Sequence, residues 1–437
     1  MTSETTISSD GVLDLREFHA GTLAIVTSDG GLLDIRAIVL EVEIRQDMYL
    51  GYMNGTIAVV DGTDLISQHN IHGGEYVFVN FRDPLTKRDL IKTFRIYKIS
   101  GRSLLNNNNQ KYLIHIVSEE MFNSNTKRIS KAYKGARISD IASDVMINYM
   151  NIPESKVNID PTTEPVDLIL PSIRPTECMN FLASRAFADN DKYCYFFYEN
   201  LNGYNFKSLH RLYDVASINE STPYQLQAKS VDKSPELDTW SIDAFTVKKD
   251  FDTITGSNVG AYAYRFLGLD LFHNQFVIDD VSAKDIPKLY ENVQMDNQID
   301  MDGKHLFEKY DSYQLVYPRT EKTKTEPNPN RSEVWLKRVM SMGLMNNHIV
   351  EIVVPGNFNL TAGCIVSVDF MHMIAPTEKD MRDSTKSGKY FVTAVNHRFD
   401  IQNSKYDTVF LMTRDSVPEP AAYDPDLLKK VRKMENE

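Results

Sequence analysis

Alternating apolar and polar residues fill the first part of the chain and predict β-strands there. In the stretch EYVFVNF, Tyr76 and Phe78 fall on one face, and Val77, Val79 and Phe81 fall on the other. Apolar residues on both faces indicate a strand that is covered on both sides. The predicted strands of this part are 35–45, 55–60, 75–81, 90–99 and 111–117, and the run NNNNQ at 106–110 predicts a hairpin loop.

The period of the pattern then changes from two residues to that of a helix. Apolar residues recur at intervals that place them on one stripe, with Ser139 or Asp140 near the start: Ile138, Ile141, Ala142, Val145, Met146 and Tyr149. A second helix is predicted to begin at Pro175, a residue that a first helical turn accepts. That helix would bury Cys178, Phe181, Leu182 and Ala186.

An aromatic hairpin follows these helices in the stretch YCYFFYENLNGYNFKSL. Its two strands are joined at Asn202–Gly203, a dipeptide preferred where both turn residues need positive φ. The middle of the chain therefore reads as an α+β block. Strands resume afterwards at 261–269, 275–278, 349–354, 364–370, 389–399 and 408–413, and the polar, proline-interrupted segment 321–330 reads as a loop.

The two β-rich parts of the chain resemble each other in sequence. IAVVDG and GGEYVFVNF in the first part correspond to VEIVVPG and AGCIVSVDF in the last part. The stretches that follow also correspond, TFRIYKISGRSLLNNNNQKYLIHIVSEE against KYFVTAVNHRFDIQNSKYDTVFLMTRDS. Because the order of strands and the positions of loops agree as well as the composition, we expect two small β-modules of one type.

Two histidines three residues apart, His69 and His72, make a candidate metal site with Asp61, Asp64 and Glu75 close by. A zinc site needs further ligands, and H-x-x-H lacks the glutamate of the H-E-x-x-H motif. The second copy of the repeat fills this place with 357–362, which contains no histidine. We therefore expect a one-turn helix, begun by Asp61 or Thr63, that exposes both histidines, and we assign no metal, cofactor or catalytic residue.

The sequence contains no recognised catalytic motif. The G-x-S-x-G elbow, the Walker phosphate loop and G-x-G-x-x-G are absent. Two carboxylate pairs, Glu119–Glu120 and Asp279–Asp280, are adjacent in sequence, so their side chains tend to point apart. Acidic residues that meet only in space leave one alternative from another class, a cell-wall hydrolase with β-accessory domains.

Composition excludes several other classes. The formal charge is −12 over 437 residues, and an acidic surface repels nucleic acid rather than holding it. The first ten residues, MTSETTISSD, lack the features of a signal peptide, and no apolar run approaches the roughly 18 residues of a membrane span. The three cysteines, Cys178, Cys194 and Cys364, are widely spaced, which favours a reducing compartment over a disulfide framework.

Four stretches taken in order resemble the baseplate hub protein of contractile-tailed phages, the tail-tube-like hub of T-even-type viruses. They are IVLEVEIRQDMYLGYMNGTIAVVDGTDLISQHNIHGGEYVFV, IVSEEMFNSNTKRISKAYKGARISDIASDVM, YCYFFYENLNGYNFKSLHRL, and VVPGNFNLTAGCIVSVDF with GKYFVTAVNHRF. Together they span most of the chain, and their order is more specific than any one of them.

The resemblance implies a non-enzymatic homotrimer in the virion, assembled in the host cytoplasm. Its two tube-like barrels per subunit would form a pseudo-sixfold ring between the hexameric tail tube and the trimeric spike. DNA would pass through the ring without specific binding, and wedge and tape-measure proteins are further candidate partners. A pyocin-like or type VI-like injection device is the related alternative.

The expected fold is mainly β with an α+β insertion, consisting of two tube-protein-like β-barrel domains and a middle α+β block. The expected division is 1–20 for an N-terminal extension, 21–121 for the first barrel, 122–235 for the middle domain, 236–280 with 346–415 for the second barrel, 281–345 for an insertion and 416–437 for a C-terminal tail.

Overall fold

A computed structural model of the chain gives the architecture. It describes residues 17–27, 30–83, 86–106, 108–163, 165–188, 193–226, 239–250, 252–270, 275–286, 308, 314–319, 331–372, 382–383, 386–415 and 427–435. The predicted loop 321–330 and most of the N-terminal extension lie outside these residues. Within them the fold is mainly β with an α+β block, as the sequence predicts.

The strands are β1 (His19–Val26), β2 (Leu32–Asp34), β3 (Val39–Asp47), β4 (Asn54–Asp61), β5 (Tyr76–Asp83), β6 (Arg88–Leu104), β7 (Gln110–Ser118), β8 (Ile129–Arg137), β9 (Val157–Ile159), β10 (Pro165–Ile173), β11 (Tyr195–Asn200), β12 (Gly203–Ser208), β13 (Tyr224–Gln225), β14 (Ala244–Lys249), β15 (Ala263–Asp270), β16 (Gln275–Ser282), β17 (Gln314–Arg319), β18 (His348–Pro355), β19 (Ile365–Asp369), β20 (Gly388–Asp400) and β21 (Lys405–Arg414).

The helices are α1 (Leu65–Gln68), α2 (Glu119–Ser124), α3 (Ile138–Asp144), α4 (Pro175–Ala183), α5 (Leu209–Tyr213), α6 (Thr253–Asn258), α7 (Arg331–Met345) and α8 (Leu427–Glu435). A π-helical turn, Val145–Tyr149, continues α3, and short 3-10 turns lie at Glu154–Lys156 and Ala283–Asp285. No helix among the described residues has the length and apolar character that crossing a membrane requires.

One strand order occurs twice in the main sheet. In the first part the hydrogen-bonded order is β3-β4-β7-β6-β5, and in the last part it is β14-β18-β21-β20-β19. Every one of these pairs is antiparallel in both copies. The two stretches that echo each other in sequence therefore form the same arrangement of strands.

The two copies are joined by direct pairing of β3 with β20. This pairing is antiparallel and runs from Ala394 opposite Asp47 to Asp400 opposite Glu41. As a result, thirteen of the described strands belong to one continuous sheet.

Two hydrophobic cores lie along this sheet, one mainly in each copy, and the first also contains Phe358, Phe399 and Tyr406 of the second copy. The first core contains Val42, Ile57 and Phe94, and the second contains Ile352, Val392 and Phe410. Alternation explains this division, because successive side chains of a strand point to opposite faces. At the seam the opposite face carries polar side chains, whereas farther into the second copy Ile365 and Phe391 on that face are buried in a third apolar cluster.

The α+β block contains both predicted helices and the predicted aromatic hairpin. The stripe on α3 is buried from Ile138 to Met146, and α4 begins at Pro175 and buries Cys178 and Leu182. β11 and β12 pair antiparallel, with Asn200 opposite Gly203, so the turn is Leu201–Asn202, one residue before the predicted Asn202–Gly203. Of the two predicted turn residues only Gly203 has positive φ. The antiparallel pair of β8 and β10 was not predicted.

The segment 236–280 is shared between two sheets, which differs from the expected division. β14 joins the main sheet beside β18, whereas β15 and β16 pair with each other and with β17 in a separate sheet of three strands. The strands themselves were predicted, but their partners depend on contacts distant in sequence. Alternation alone does not determine these.

Candidate functional site

The two histidines that suggested a metal site are exposed. They flank the end of the one-turn helix α1, whose first N–H, at Leu65, donates to the Asp61 carboxylate at 2.8 Å. The prediction of a one-turn helix that exposes both histidines is confirmed, whereas its N-cap residue is Asp64 rather than the predicted Asp61 or Thr63.

The carboxylates near the histidines have partners of their own. Asp64 pairs with Arg102 at 2.7 Å, and Glu75 accepts a hydrogen bond from the backbone N–H of His72 at 2.8 Å. In the described part of the chain, no group of three or more His, Cys, Asp or Glu side chains is arranged to hold a metal ion.

The adjacent glutamates Glu119 and Glu120 point to different elements, as predicted. Glu119 accepts a hydrogen bond from the Tyr76 hydroxyl at 2.8 Å, and Glu120 accepts one from the Tyr204 hydroxyl at 2.9 Å. In the other pair, Asp280 is held by Arg265 at 2.8 Å, and the side chain of Asp279 lies outside the described residues.

The seam between β3 and β20 is the best-defined candidate for a functional site. On its core side, Val42 faces Phe399 and Ile44 faces His397, and all four side chains have 0% exposure. The two copies of the repeat therefore meet through fully buried side chains. Such contacts fix their relative position more firmly than a polar surface contact would.

A buried hydrogen-bonded chain crosses this seam. Gln46 Nε2 lies 2.7 Å from His397 Nε2, and His397 Nδ1 lies 2.7 Å from the Tyr406 hydroxyl. An amide nitrogen can only donate, so Nε2 accepts and Nδ1 carries the ring proton. Burial lowers the pKa of His397 to about 3, which keeps the ring neutral and fits this assignment. The Gln46 carbonyl also accepts the Ala362 N–H at 3.3 Å.

The open face of the seam is polar and charged. Glu43 on β3 bridges Arg45 on its own strand and Arg398 on β20, with 3.3 Å between Arg398 Nε and Glu43 Oε1. Partial desolvation raises the pKa of Glu41, and the neighbouring Glu43 carboxylate raises it further. Asp400 stands opposite Glu41 on the same face. Arg45 and Arg398 are thus both paired with Glu43, and the three carboxylates of this face outnumber the two arginines.

The aromatic hairpin ties the α+β block to both copies. Glu199 on β11 is 1% exposed and accepts hydrogen bonds from the Met53 N–H at 2.7 Å, the Ser118 hydroxyl and the Lys92 ammonium, all in the first copy. The next residue, Asn200, donates its amide to the Ala362 carbonyl of the second copy at 3.1 Å. The FYEN motif therefore forms hydrogen bonds with both copies beside the seam.

No family model matches the sequence, and no curated protein matches it. Two solved structures resemble the chain over almost its whole length. The tail protein from Neisseria meningitidis MC58 aligns with a TM-score of 0.52 at 11% identity, over 93% of this chain and 100% of that one. The 43 kDa tail protein of prophage MuSo2 from Shewanella oneidensis gives 0.51 at 10% identity, over 90% and 98%. The chain shares its fold with tail proteins.

Within this tail-protein fold, the residues that hold the seam were missed by sequence reasoning. A signal for them was present. In VNHRF, His397 stands on the apolar side of its strand between Val395 and Phe399, and Gln46 continues the apolar side of β3. A polar residue at an apolar position of an alternating strand indicates a buried hydrogen-bonded group.

Proposed function

We propose that this chain is the structural central hub of a phage baseplate. In this proposal it is a homotrimer whose two β-modules per subunit give a pseudo-sixfold ring. The ring joins the hexameric tail tube on one face to the trimeric spike on the other, with wedge and tape-measure proteins as further partners. The chain is not an enzyme, and it resides in the virion after assembly in the host cytoplasm.

The repeated strand order within one continuous sheet carries this proposal. A protein that must meet both a sixfold and a threefold partner needs six similar surfaces from three chains. Two copies of one module per chain supply that number, and direct pairing of β3 with β20 sets one copy beside the other in a fixed orientation. The same features suit the hub of a pyocin-like or type VI-like device, which has the same symmetry to adapt.

The open polar face of the sheet supports a role in DNA passage. A channel that DNA must traverse without sticking should not offer unpaired cations to the phosphates. At the seam, Arg45 and Arg398 are both paired with Glu43, and Glu41 and Asp400 add two more negative charges on the same face. In the proposed ring this face lines the channel.

The mass of the protein in solution tests the proposal. Light scattering after size exclusion should give three times the 50.0 kDa chain mass. A stable monomer at high protein concentration would contradict the hub. Peptidoglycan clearing that is lost on a single carboxylate substitution would instead favour the hydrolase.

A further inference from the structure

The seam inside the chain has a counterpart whose two sides lack a partner strand among the described residues. β3 pairs with the C-terminal half of β20, and the strands that occupy these two places in the other copies are β14 and β6. Among the described residues, β14 pairs only with β18, and β6 has no partner beyond Ile96 on the side away from β7. Each chain thus presents two complementary strand edges.

A β-bulge at the same place in β6 and β20 aligns the two strands as far as Ser100. The register of β6 with β7 shifts between Ile96 and Lys98, and the register of β20 with β21 shifts between Val392 and Ala394. Bulges re-aim a strand and are specific features of a fold. The two long strands therefore bend at the same place.

A second register shift in β6, between Ser100 and Ser103, has no counterpart in β20, so the residues beyond it are matched through their partners on β7 and β21. Leu104 is paired with Gln110 at the place where Phe399 is paired with Tyr406. Leu104 thus stands where Phe399 stands in the seam, yet Leu104 is 78% exposed and Phe399 is 0% exposed. The neighbouring Ser103 takes the place of Arg398.

The same comparison holds for β14. Phe245 lies opposite Ile352 as Val42 lies opposite Ile57, and these two isoleucines hold the same place in their copies. Phe245 is 40% exposed, whereas Val42 is 0% exposed. The next apolar position repeats the contrast, since Val247 is 41% exposed and its counterpart Ile44 is 0% exposed.

We propose that β14 of one chain pairs antiparallel with the C-terminal half of β6 of a second copy, which repeats the internal seam between chains. The register carries over directly: Phe245 faces Leu104 of the next chain, and Thr246 faces Ser103. The inferred pairing rests on the proposed hub, because it specifies the contact between chains that closes the ring. Such a contact is head-to-tail, so it propagates from chain to chain and closes when the rotation permits.

The inferred contact satisfies two physical needs at once. Unpaired strand edges leave rows of backbone N–H and C=O groups open to pairing with another chain, and adding a strand meets those groups. The apolar side chains on both edges become buried against each other, as their counterparts are in the internal seam. Thr246 opposite Ser103 forms a neutral polar pair of the kind that stabilises neighbouring strands.

Cysteine cross-linking tests the register. Ser103→Cys and Thr246→Cys are combined in one chain, because directly opposed Cβ atoms of an antiparallel pair lie about 4.5–5.5 Å apart, close to the spacing of a disulfide. Mild oxidation should give a covalent ladder that ends at the trimer on a denaturing gel. The matched control joins Ser103→Cys with Ala244→Cys, which lies two residues along the same face and should give no ladder. A ladder in the control alone would overturn the register.

A charge on the edge provides an independent test. Phe245→Asp should weaken self-association at least about tenfold, as expected for an interface anchor, while the circular dichroism spectrum of the variant stays unchanged. Ile254→Asp is the control, since Ile254 is 78% exposed and lies outside both edges. A wild-type trimer that neither cross-links at 103 and 246 nor responds to Phe245→Asp overturns this interface and leaves the hub standing. A wild-type monomer overturns both.

Discussion

Buried polar side chains hold the parts of this molecule together. Gln46 and His397 join the two copies of the β-module, and Glu199 joins the aromatic hairpin to the first copy. A buried polar group is costly unless its hydrogen-bond partners are in place, so each of these residues favours one arrangement of the elements around it. The residues that look most like a functional site in sequence, His69 and His72, take no part in these junctions.

Replacing Glu199 with alanine should lower the free energy of unfolding by about 3 kcal/mol, because one partner of a buried ion pair is removed. The Lys92 ammonium, the Met53 N–H and the Ser118 hydroxyl would each lose their acceptor. Urea unfolding followed by circular dichroism measures the loss.

The matched control for Glu199 is an exposed ion pair. Asp34 and Arg36 pair at 2.6 Å with side chains 51% and 42% exposed. Asp34→Ala should cost less than about 1 kcal/mol, because exposed pairs are screened by water. Equal losses for the two variants would show that Glu199 does not act as a buried brace.

His397 should make stability depend on pH. Burial lowers the pKa of His397 to about 3 in the folded protein, from 6.5. Between these values the unfolded chain binds a proton that the folded chain excludes. The free energy of unfolding should therefore fall as the pH drops below 6.5, by up to about 1.4 kcal/mol per pH unit. Above pH 6.5 the ring is neutral in both the folded and the unfolded chain, so the histidine no longer lowers the free energy of unfolding.

Urea unfolding at a series of pH values checks this dependence. Carboxylates titrate in every variant, so the difference between variants isolates the histidine. His397→Gln should give a flatter profile than the wild type from pH 6.5 down to about 4. His72→Gln changes an exposed histidine and should keep the wild-type slope. Parallel profiles for the wild type and His397→Gln would contradict a buried neutral ring.

At the scale of elements, the type of each strongly patterned segment could be predicted, but its partner could not. Alternation predicted β4, β5 and β7 closely, and the aromatic hairpin was predicted with its turn one residue too late. Pairing depends on contacts between distant residues, and Gln46 and His397 are 351 positions apart. The same cause hid the sheet formed by β15, β16 and β17. The repeat was the one long-range signal in the sequence, since it fixes relations between distant segments through their likeness.

The first residue of β12, directly after the turn of the aromatic hairpin, should not tolerate a side chain. Gly203 has φ +124°, and a Cβ there would lie 2.4 Å from the Lys156 carbonyl oxygen, just before β9. Gly203→Ala should therefore cost about 2–5 kcal/mol, because backbone strain and displacement of β9 add together.

Gly30→Ala separates these two effects. Gly30 also has positive φ, +84°, but no atom lies within 4 Å of its added Cβ. Gly30→Ala should lower the free energy of unfolding by only about 1 kcal/mol, because it adds backbone strain and no steric contact. Thermal unfolding of both variants measures the difference, and similar losses would mean that the contact with Lys156 does not restrict the turn.

For the whole molecule, the important feature is that the sheet joining the two copies has an apolar side and a polar side at the seam. The apolar side is filled by the cores of the two copies, whereas the other side carries Glu41, Glu43 and Arg398 at the seam. A sheet that closes on itself must place one side inward and the other outward. In the proposed ring the more polar side faces the channel, and its charge decides whether DNA slides or sticks.

Adding cations to that side should make the ring retain DNA that it otherwise releases. Glu41 and Thr56 both lie on the open face of β3 and β4, and Glu41→Lys with Thr56→Lys supplies free ammonium groups there. Retention of linear duplex should appear at about 50 mM salt and fall steeply by about 200 mM, because phosphate contacts release counterions. The wild type should retain none under these conditions.

Closed circular DNA distinguishes a channel from an outer surface, because a closed circle cannot thread a closed ring. In a gel-shift assay the lysine variant should therefore bind the linear duplex and should not bind the closed circle of the same sequence. Glu154→Lys with Thr126→Lys adds the same charge to exposed positions of the α+β block, and this control should treat the two forms alike. If the Glu41 and Thr56 variant also bound both forms equally, the polar side of the sheet would have to face outward, and the channel would be lined by some other part of the chain.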